Sequence, residues 1–274
     1  AEGPIALCEV QGYVYDAWLR MAELWEDFGR PQEAARLRAK AASLKRRFNL
    51  DFWISDKNGK GFFALALDGD KNKVDAIASN MGHLLWSGIV EEDKAPLVAA
   101  TLVSEELFSG WGVRTLGLSC RGYNPVSYHN GSIWPHDNSL TVWGLRKYGF
   151  MDEAQKILAA FLDASSFFDY RLPELFVGME RQEHNFPVKY PTSCSPQAWA
   201  AGATLLFIRS LLGLEPNLPQ GKLILAPVLP SRITSLRLEG VPMGSSRLSL
   251  EVRDGKVKLL KAPPKLEIVL EEKS

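Results

Sequence analysis

Tyr128-His-Asn-Gly-Ser-Ile-Trp-Pro-His-Asp-Asn138 follows Ser109-Gly-Trp-Gly-Val-Arg114 after a short connection that contains Gly and Ser. Together they bring Trp111, Arg114, Tyr128, His129, Asn130, Trp134, His136, Asp137 and Asn138 into a run with no periodic apolar face, which is not how a chain builds a core. The run reads as a binding surface, and the regular patterns on either side of it as the scaffold. A second such run begins at Leu172-Pro-Glu-Leu-Phe176, continues through Glu180, Gln182, Glu183 and His184, and closes with Pro191-Thr-Ser-Cys-Ser-Pro-Gln-Ala-Trp199. Planar aromatics mixed with amides, carboxylates and an arginine suit a ligand with apolar ring faces and a rim of hydroxyls. A sugar fits that description.

Outward from these runs the pattern is helical. Val14, Ala17, Trp18, Met21, Leu24, Trp25 and Phe28 keep the three-and-four spacing of an amphipathic helix that stops at Gly29. Pro31 opens a second helix with a stripe of Ala34, Leu37, Ala41, Leu44 and Phe48. Its basic residues, Arg36, Arg38, Lys40, Lys45, Arg46 and Arg47, read as a solvated face. Residues 52–54 and 61–67 read as a hairpin turning at Asn58-Gly59. A third helix is expected over 74–89, with Ile77, Met81, Leu84, Leu85 and Trp86 towards the core. Asn80 and His83 interrupt it, either as satisfied core groups or as the inner rim of a cleft.

Further helices are expected over 93–107, 138–148 and 152–168, the last two divided by Gly149, and from Ser195-Pro196 through Leu212. Seven helices in antiparallel pairs, with long polar loops on alternate connections, form the layout of a helical-hairpin toroid or solenoid, although no fixed-period repeat appears. Composition changes at Gly213. Alternating runs at 223–226, 235–238, 247–252, 257–260 and 266–270, with a turn at Asp254-Gly255, predict a small antiparallel β unit. The expectation is a mainly α fold: a helical domain over 1–212 and a β-strand appendage over 213–274.

With 274 residues, 46% of them hydrophobic, the chain can bury a sizeable core. Lys plus Arg and Asp plus Glu balance at 32 each, which removes the electrostatic argument for nucleic acid as a partner. No apolar run approaches bilayer length, so no membrane partner is expected. Cys8, Cys120 and Cys194 show neither zinc-site spacing nor disulfide density, which points to a reducing, cytoplasmic setting. The chain begins with Ala1 and no secretory signal follows, so an upstream segment is expected to have been removed.

The chemistry left standing is carboxylate chemistry. His129 and His136 are separated by Pro135 and lack one-turn ligand spacing, so no metal is expected. No Gly-x-Ser-x-Gly elbow, Walker loop or Gly-x-Gly-x-x-Gly appears, and no cofactor is expected. Glycoside hydrolysis needs two carboxyl groups, one protonated acid and one base or nucleophile. Glu174 has the properties of the base: it follows a helix, Pro173 stiffens its loop, and Leu172, Leu175 and Phe176 can shield it. Glu180 and Glu183, among polar neighbours, read as rim or structural groups.

Glu9-Val-Gln-Gly-Tyr13, Trp111-Gly-Val-Arg114, Tyr128 to Asn138, Pro173-Glu-Leu-Phe176 and Pro196-Gln-Ala-Trp199 resemble, in that order, the C-terminal glucosidase domain of glycogen debranching enzymes, the amylo-alpha-1,6-glucosidase type. That family stands with glucoamylases, trehalases and mannosylglycerate hydrolases, whose (α/α)6 six-hairpin toroid works by inversion with an Asp or Glu acid and a Glu base. The resemblance implies Glu174 as general base, and Glu9, Gln11, Trp111, Arg114, His129, Trp134, His136, Asp137 and Trp199 as the sugar subsite. In the family the acid is an Asp in a Trp-Lys-Asp-Ser-like loop shortly before the Glu-Val-Gln-Gly-Tyr segment, so it is expected upstream of Ala1. The chain is then the C-terminal part of a longer enzyme that removes glucosyl units from an α-linked glucan. The fragment alone is expected to be inactive, with an exposed half-toroid face that offers a route to a homo-oligomer. Alternatives are a hydrolase of a small mannosylglycerate- or trehalose-like glycoside, a non-catalytic carbohydrate-binding protein, and a helical interaction scaffold.

Overall fold

The computed structural model describes residues 2–55 and 61–271. The chain divides into two compact units, residues 1–204 and 205–274. The break falls within the last helix.

The first unit holds, in order, β1 (Ala6–Leu7), α1 (Cys8–Asp27), α2 (Pro31–Asp51), β2 (Trp53–Ser55), β3 (Gly61–Phe63), β4 (Ala66–Leu67), β5 (Lys73–Val74), α3 (Asn80–Ser87), α4 (Ala95–Leu102), α5 (Pro135–Lys147), α6 (Met151–Ser166) and the start of α7 (Ala198–Leu212). The turns after α1 and α5 close alike. Arg30 N–H reaches back to Trp25 O at 2.7 Å and Phe150 N–H to Leu145 O at 3.0 Å, the six-to-one bond that ends a helix over a glycine. Such short turns force consecutive helices to be neighbours, and α1 packs on α2 as α5 packs on α6.

Helix α3 joins the two hairpins by packing on α1 and α5. Its contact with α5 is nearly backbone to backbone. A Cβ on Gly144 would lie 2.5 Å from Trp86 N, and one on Gly82 would lie 1.9 Å from Thr141 Oγ1. Only glycine permits this approach, and it sets the distance between the side chains just beyond, His83 on α3 and Asp137 on α5.

Helix α3 is shorter than the expected 74–89. Val74 and Lys73 instead pair with Ala66 and Leu67 in an antiparallel sheet of order β1-β4-β5, and Ala78 bridges Leu116. The apolar spacing of Val74, Ile77 and Met81 imitates a helix because two strand-like contacts happen to be followed by a true helical turn, and tertiary pairing overrides the local pattern. Helix α4 is likewise shorter than 93–107, while α1 starts earlier than its stripe indicates, with Cys8 N–H held by Leu65 O at 2.9 Å. Strands β2 and β3 pair antiparallel, Trp53 opposite Phe63. The expected Asn58-Gly59 turn between them lies outside the described residues.

The second unit holds the end of α7, β6 (Glu215–Asn217), a 3-10 turn (Leu218–Gln220), β7 (Lys222–Leu225), β8 (Ser235–Met243), β9 (Ser246–Arg253), β10 (Lys256–Lys261) and β11 (Glu267–Leu270). Two three-stranded sheets form, of order β10-β9-β8 and β11-β7-β6. The expected all-antiparallel unit is corrected here, because β11 runs parallel to β7. The β8–β10 meander intervenes between them, and a connection of that length is what a parallel pair requires. Strand β8 outruns the expected 235–238 through an irregularity between Leu238 and Val241. It tolerates Pro242 because it is an edge strand. At the expected hairpin turn, Asp254 and Gly255 take φ of 49° and 72°, the left-handed pair of a two-residue turn. Leu212, Leu223, Leu225, Met243, Leu248, Leu250 and Val252 form the core of this unit, each such side chain contributing about 1.5–3 kcal/mol by leaving water. Among the described residues no helix is long and apolar enough to cross a membrane.

Candidate active site

The two polar runs meet through an irregular ladder. Ile133 and Phe176 exchange both backbone hydrogen bonds, at 2.9 and 3.0 Å; Arg114 bridges Ile133 on one side and Lys189 bridges Phe176 on the other. Ile133 and Phe176 are fully buried, so this register is fixed, and it carries Glu174 to the residues around Tyr128. Glu174 is only 5% exposed. Its Oε1 accepts from Tyr128 Oη at 2.7 Å and from Gln197 Nε2 at 3.4 Å, and its Oε2 accepts from Cys194 N–H at 3.1 Å. Cys194 O in turn accepts Glu174 N–H at 3.0 Å. The Tyr128 hydrogen bond, with those from Cys194 and Gln197, outweighs burial and holds the carboxyl below the usual glutamate range. The same bond pushes the Tyr128 phenol up to about 12. The carboxylate is therefore ionised near neutrality, oriented on both oxygens, and able to take a proton from a water molecule.

A cleft of about 300 Å³ is lined by Glu9, Asn80, His83, His129, Trp134, His136, Asp137 and Trp199, with Ser79, Thr115, Asn130 and apolar residues. Two parallel ring pairs stand in it. His129 stacks on Trp134 with planes 4° apart and His136 on Trp199 with planes 5° apart, the latter at 4.2 Å. Trp134 meets Tyr128 edge-on at 5.0 Å, so one aromatic contact links the cleft to the group that orients Glu174. Trp199 remains 47% exposed, which leaves ring surface for a ligand.

Below the rings lies a polar chain. His83 Nε2 is 2.6 Å from Asp137 Oδ1, and its Nδ1 is 2.6 Å from Tyr13 Oη and 4.0 Å from Glu9 Oε2. Asn80 Nδ2 donates to Glu9 Oε2 at 2.7 Å. Burial alone would lower the His83 value, but the hydrogen bond and charge of Asp137, with Glu9, raise it. Burial alone would raise Asp137, but the hydrogen bond and charge of His83, with a Ser79 hydrogen bond and the charge of His136, outweigh it and keep the carboxyl low. His136 is lowered by its burial.

Of the residues expected in the sugar subsite, Glu9, His129, Trp134, His136, Asp137 and Trp199 come together in this cleft, and Gln11, Trp111 and Arg114 are not part of its lining. Gln11 Nε2 donates to Leu7 O at 3.3 Å within α1. Trp111 is 2% exposed, meets Phe167 edge-on and lies under the Arg181 guanidinium at 4.2 Å. Arg114 has no exposed surface. Its Nε donates to Gly178 O at 2.7 Å, its Nη1 to Glu105 O at 3.3 Å, and its Nη2 to the Glu180 carboxylate, so it pins the loop after Phe176. Glu174 itself is outside the cleft lining and reaches it through Tyr128.

Tyr13, His83 and Tyr128 were assigned neither a catalytic role nor a place in the sugar subsite, although Tyr128 stood in the expected binding surface and His83 was left open as a cleft rim. His83 had a signal, a polar residue inside an apolar helical stripe, and so did Tyr128, which stands within the run of site residues. Tyr13 had only its place at the end of the Glu9-Val-Gln-Gly-Tyr13 segment. Among the described residues no group of three or more His, Cys, Asp or Glu could hold a metal ion.

Solved structures show the same fold at low identity. A structure titled "Sialidase" matches with TM-score 0.74 and 13% identity, over 93% of this chain and 25% of that one. The neutral trehalase of Saccharomyces cerevisiae matches with TM-score 0.58 and 16% identity, over 75% of this chain and 38% of that one. A GH63 mannosylglycerate hydrolase from Thermus thermophilus, solved in complex with glucose, matches with TM-score 0.55 and 16% identity, over 74% of this chain and 45% of that one. The chain thus spans from a quarter to just under half of the length of these three. No curated protein matches the sequence. The family model of the mannosylglycerate hydrolase MGH1-like glycoside hydrolase domain matches residues 4–173. That is more than half of the sequence, and the chain belongs to this glycoside hydrolase family.

Proposed function

We propose that the chain carries the base half of an inverting glycoside hydrolase that removes a terminal sugar from an α-linked glycoside, with Glu174 as the general base. The observation that carries this reading is the state of Glu174: a 5% exposed carboxylate, hydrogen-bonded on both oxygens and shifted towards its ionised form. Such a group takes a proton from water as the water attacks the anomeric carbon. The aromatic cleft joined to it through Tyr128 and Trp134 supplies ring faces and hydroxyl partners for one terminal sugar. Its volume is at the small end of ligand pockets, which run to about 300–1,000 Å³.

The general acid is not assigned to either cleft carboxylate. Asp137 is held in its ionised form by His83, and Glu9 is bonded to Asn80. By the motif resemblance the acid belongs to a loop upstream of Glu9 in the full-length enzyme, and residues 1–274 alone should turn over slowly or not at all, since general acid catalysis contributes roughly 10²–10⁴ in rate. For the substrate, the five motifs favour an α-1,6-linked glucosyl branch of a glucan, as in debranching enzymes. The family match favours a small mannosylglycerate- or trehalose-like glycoside. Hydrolysis by the full-length enzyme of branched glucan, maltooligosaccharides, trehalose and mannosylglycerate, each with Glu174 and with Glu174→Gln, tests the reading. Turnover of one substrate class that disappears in the variant is expected. Equal turnover in both forms would remove Glu174 from the mechanism, and binding without turnover would favour a carbohydrate-binding protein.

A further inference from the structure

A second cavity, of about 380 Å³, is walled by two stretches of chain: residues 168–173, which leave α6, and residues 189–195, which lead towards α7. None of its lining residues lines the aromatic cleft. The two stretches are tied together just beyond the wall. Glu174 N–H donates to Cys194 O at 3.0 Å, Leu175 N–H to Ser193 Oγ at 3.4 Å and Val177 N–H to Val188 O at 2.9 Å. The chain leaves α6 through Asp169 and Tyr170, with φ of 51° and 58°, a left-handed region that residues other than glycine seldom hold. Tyr170 N–H closes this turn on Ser165 O at 2.9 Å, and the next residue, Arg171, stands in the cavity wall.

The wall carries two cations, Arg171 from the first stretch and Lys189 from the second, with the hydroxyls of Tyr190, Ser193 and Ser195. Among the described residues neither cation has an ion pair or a side-chain hydrogen bond. Exposed cations are ordinary, but here the fold brings two of them and three hydroxyls to one concave surface. Two cations suit a group with two negative charges. A carboxylate brings one, whereas a phosphate monoester carries about −1.5 to −2 near neutrality and offers three acceptor oxygens, which serve both cations and the hydroxyl donors. The cavity also holds Asp169 and the Phe168 and Tyr190 rings. The Asp169 carboxylate repels a bare anion but accepts from hydroxyls, and the rings suit the apolar face of a sugar. A phosphate attached to a hydroxyl-bearing ring meets all of these groups.

We infer that this cavity binds a phosphorylated sugar, with the phosphate held by Arg171 and Lys189 and a sugar hydroxyl by Asp169. The site adjoins the candidate base without being part of the cleft: Tyr190 meets Tyr128 edge-on at 5.6 Å, and Ser193 precedes Cys194, whose N–H holds Glu174 Oε2 at 3.1 Å. The inference goes beyond the hydrolase reading and does not rest on it.

The test is calorimetric titration of the full-length protein, at fixed ionic strength, with glucose 1-phosphate, glucose 6-phosphate, inorganic phosphate and glucose. One of the two sugar phosphates should bind. Inorganic phosphate should bind about 10-fold or more weakly, the size of one hydrogen bond to a charged group, and glucose in excess should not displace the sugar phosphate. Arg171→Ala and Lys189→Ala should each weaken the sugar phosphate about 10-fold or more. Both side chains are exposed, so the variants should melt with the wild type. Asp169→Asn, in which asparagine tolerates the left-handed backbone, should tighten inorganic phosphate and loosen the sugar phosphate. A general charge effect would move both ligands the same way. Failure of wild type to bind either sugar phosphate overturns the site, as does wild-type affinity in the doubly substituted Arg171→Ala, Lys189→Ala protein. Displacement by glucose would put the ligand in the aromatic cleft and overturn it equally. Inorganic phosphate binding as tightly as the sugar phosphate would overturn the assignment of the sugar.

Discussion

The helical unit and the β unit bury their residues by opposite rules. Among the described residues the β unit buries one polar side chain, Ser210, whose hydroxyl bonds Leu206 O within its own helix, and the rest of its buried side chains are apolar. The helical unit buries His83, Asp137, Asn138, Arg114 and Glu174 alongside its apolar residues. Each of the five has a named partner from elsewhere in the chain: Tyr13 and Asp137 for His83, Val113 for Asn138, Gly178 and Glu180 for Arg114, Tyr128 and Cys194 for Glu174. An aliphatic core gains stability by area and tolerates change. A buried polar network gains orientation instead, and a lost partner is expensive. The difference marks the helical unit as the one built to hold atoms in place for chemistry.

The comparison breaks or sharpens at particular residues. The largest effect is expected from Glu174→Gln in the full-length enzyme, a fall in kcat of about 10²–10⁴ read by steady-state kinetics, together with a lowered melting temperature in thermal unfolding, since both carboxylate oxygens accept hydrogen bonds and the new NH2 would face a donor. Leu250→Ala, in the aliphatic core, should do the reverse. It should cost about 2–5 kcal/mol in denaturant unfolding and leave the sugar affinity of the folded protein unchanged.

Gly144→Ala should cost less, about 1–3 kcal/mol, yet damage the cleft more. The new Cβ would meet the backbone at Trp86 and Gly82, so α3 and α5 must separate and the 2.6 Å link between His83 and Asp137 must stretch. Titration with glucose should show the loss. An alanine variant that binds as wild type does would mean that the close helix contact does not set the site.

The smallest effect is a shift along the pH axis. Glu174 sits below its ordinary value of 4.5, chiefly through the Tyr128 hydrogen bond. A base works when ionised, so the rate should hold above that lowered value and fall as pH drops through it. Tyr128→Phe removes the main cause, and the acidic limb of kcat/KM should move upward. A limb that stays in place would assign it to another group.

Much of the fold was legible because helices α1, α2 and α6 carry their stripes locally, and Asp254-Gly255 announces its own turn. What misled was pairing that a local pattern does not show. Val74 looked helical, but it pairs as a strand with Ala66, eight positions earlier. Trp111 and Arg114 stood in a run of site residues, yet the structure buries both away from the cleft lining. The partners that bury Arg114, Gly178 and Glu180, lie more than sixty positions on, where no sequence window finds them. His83 was visible as a polar break in an apolar stripe, but only Asp137, on another helix, decides between core group and cleft rim. The shielding of Glu174 was legible from its apolar loop neighbours, and the structure buries it. The tyrosine that sets its ionisation was not, since Tyr128 and Glu174 meet only through the Ile133–Phe176 register.

The most direct test of the account is the anomeric form of the sugar first released from an α-linked substrate by the full-length enzyme, followed by proton NMR before mutarotation. A general base at Glu174 predicts that the β-anomer appears first and that its appearance is lost with Glu174→Gln. The α-anomer appearing first, or a β-anomer produced undiminished by the variant, would contradict it.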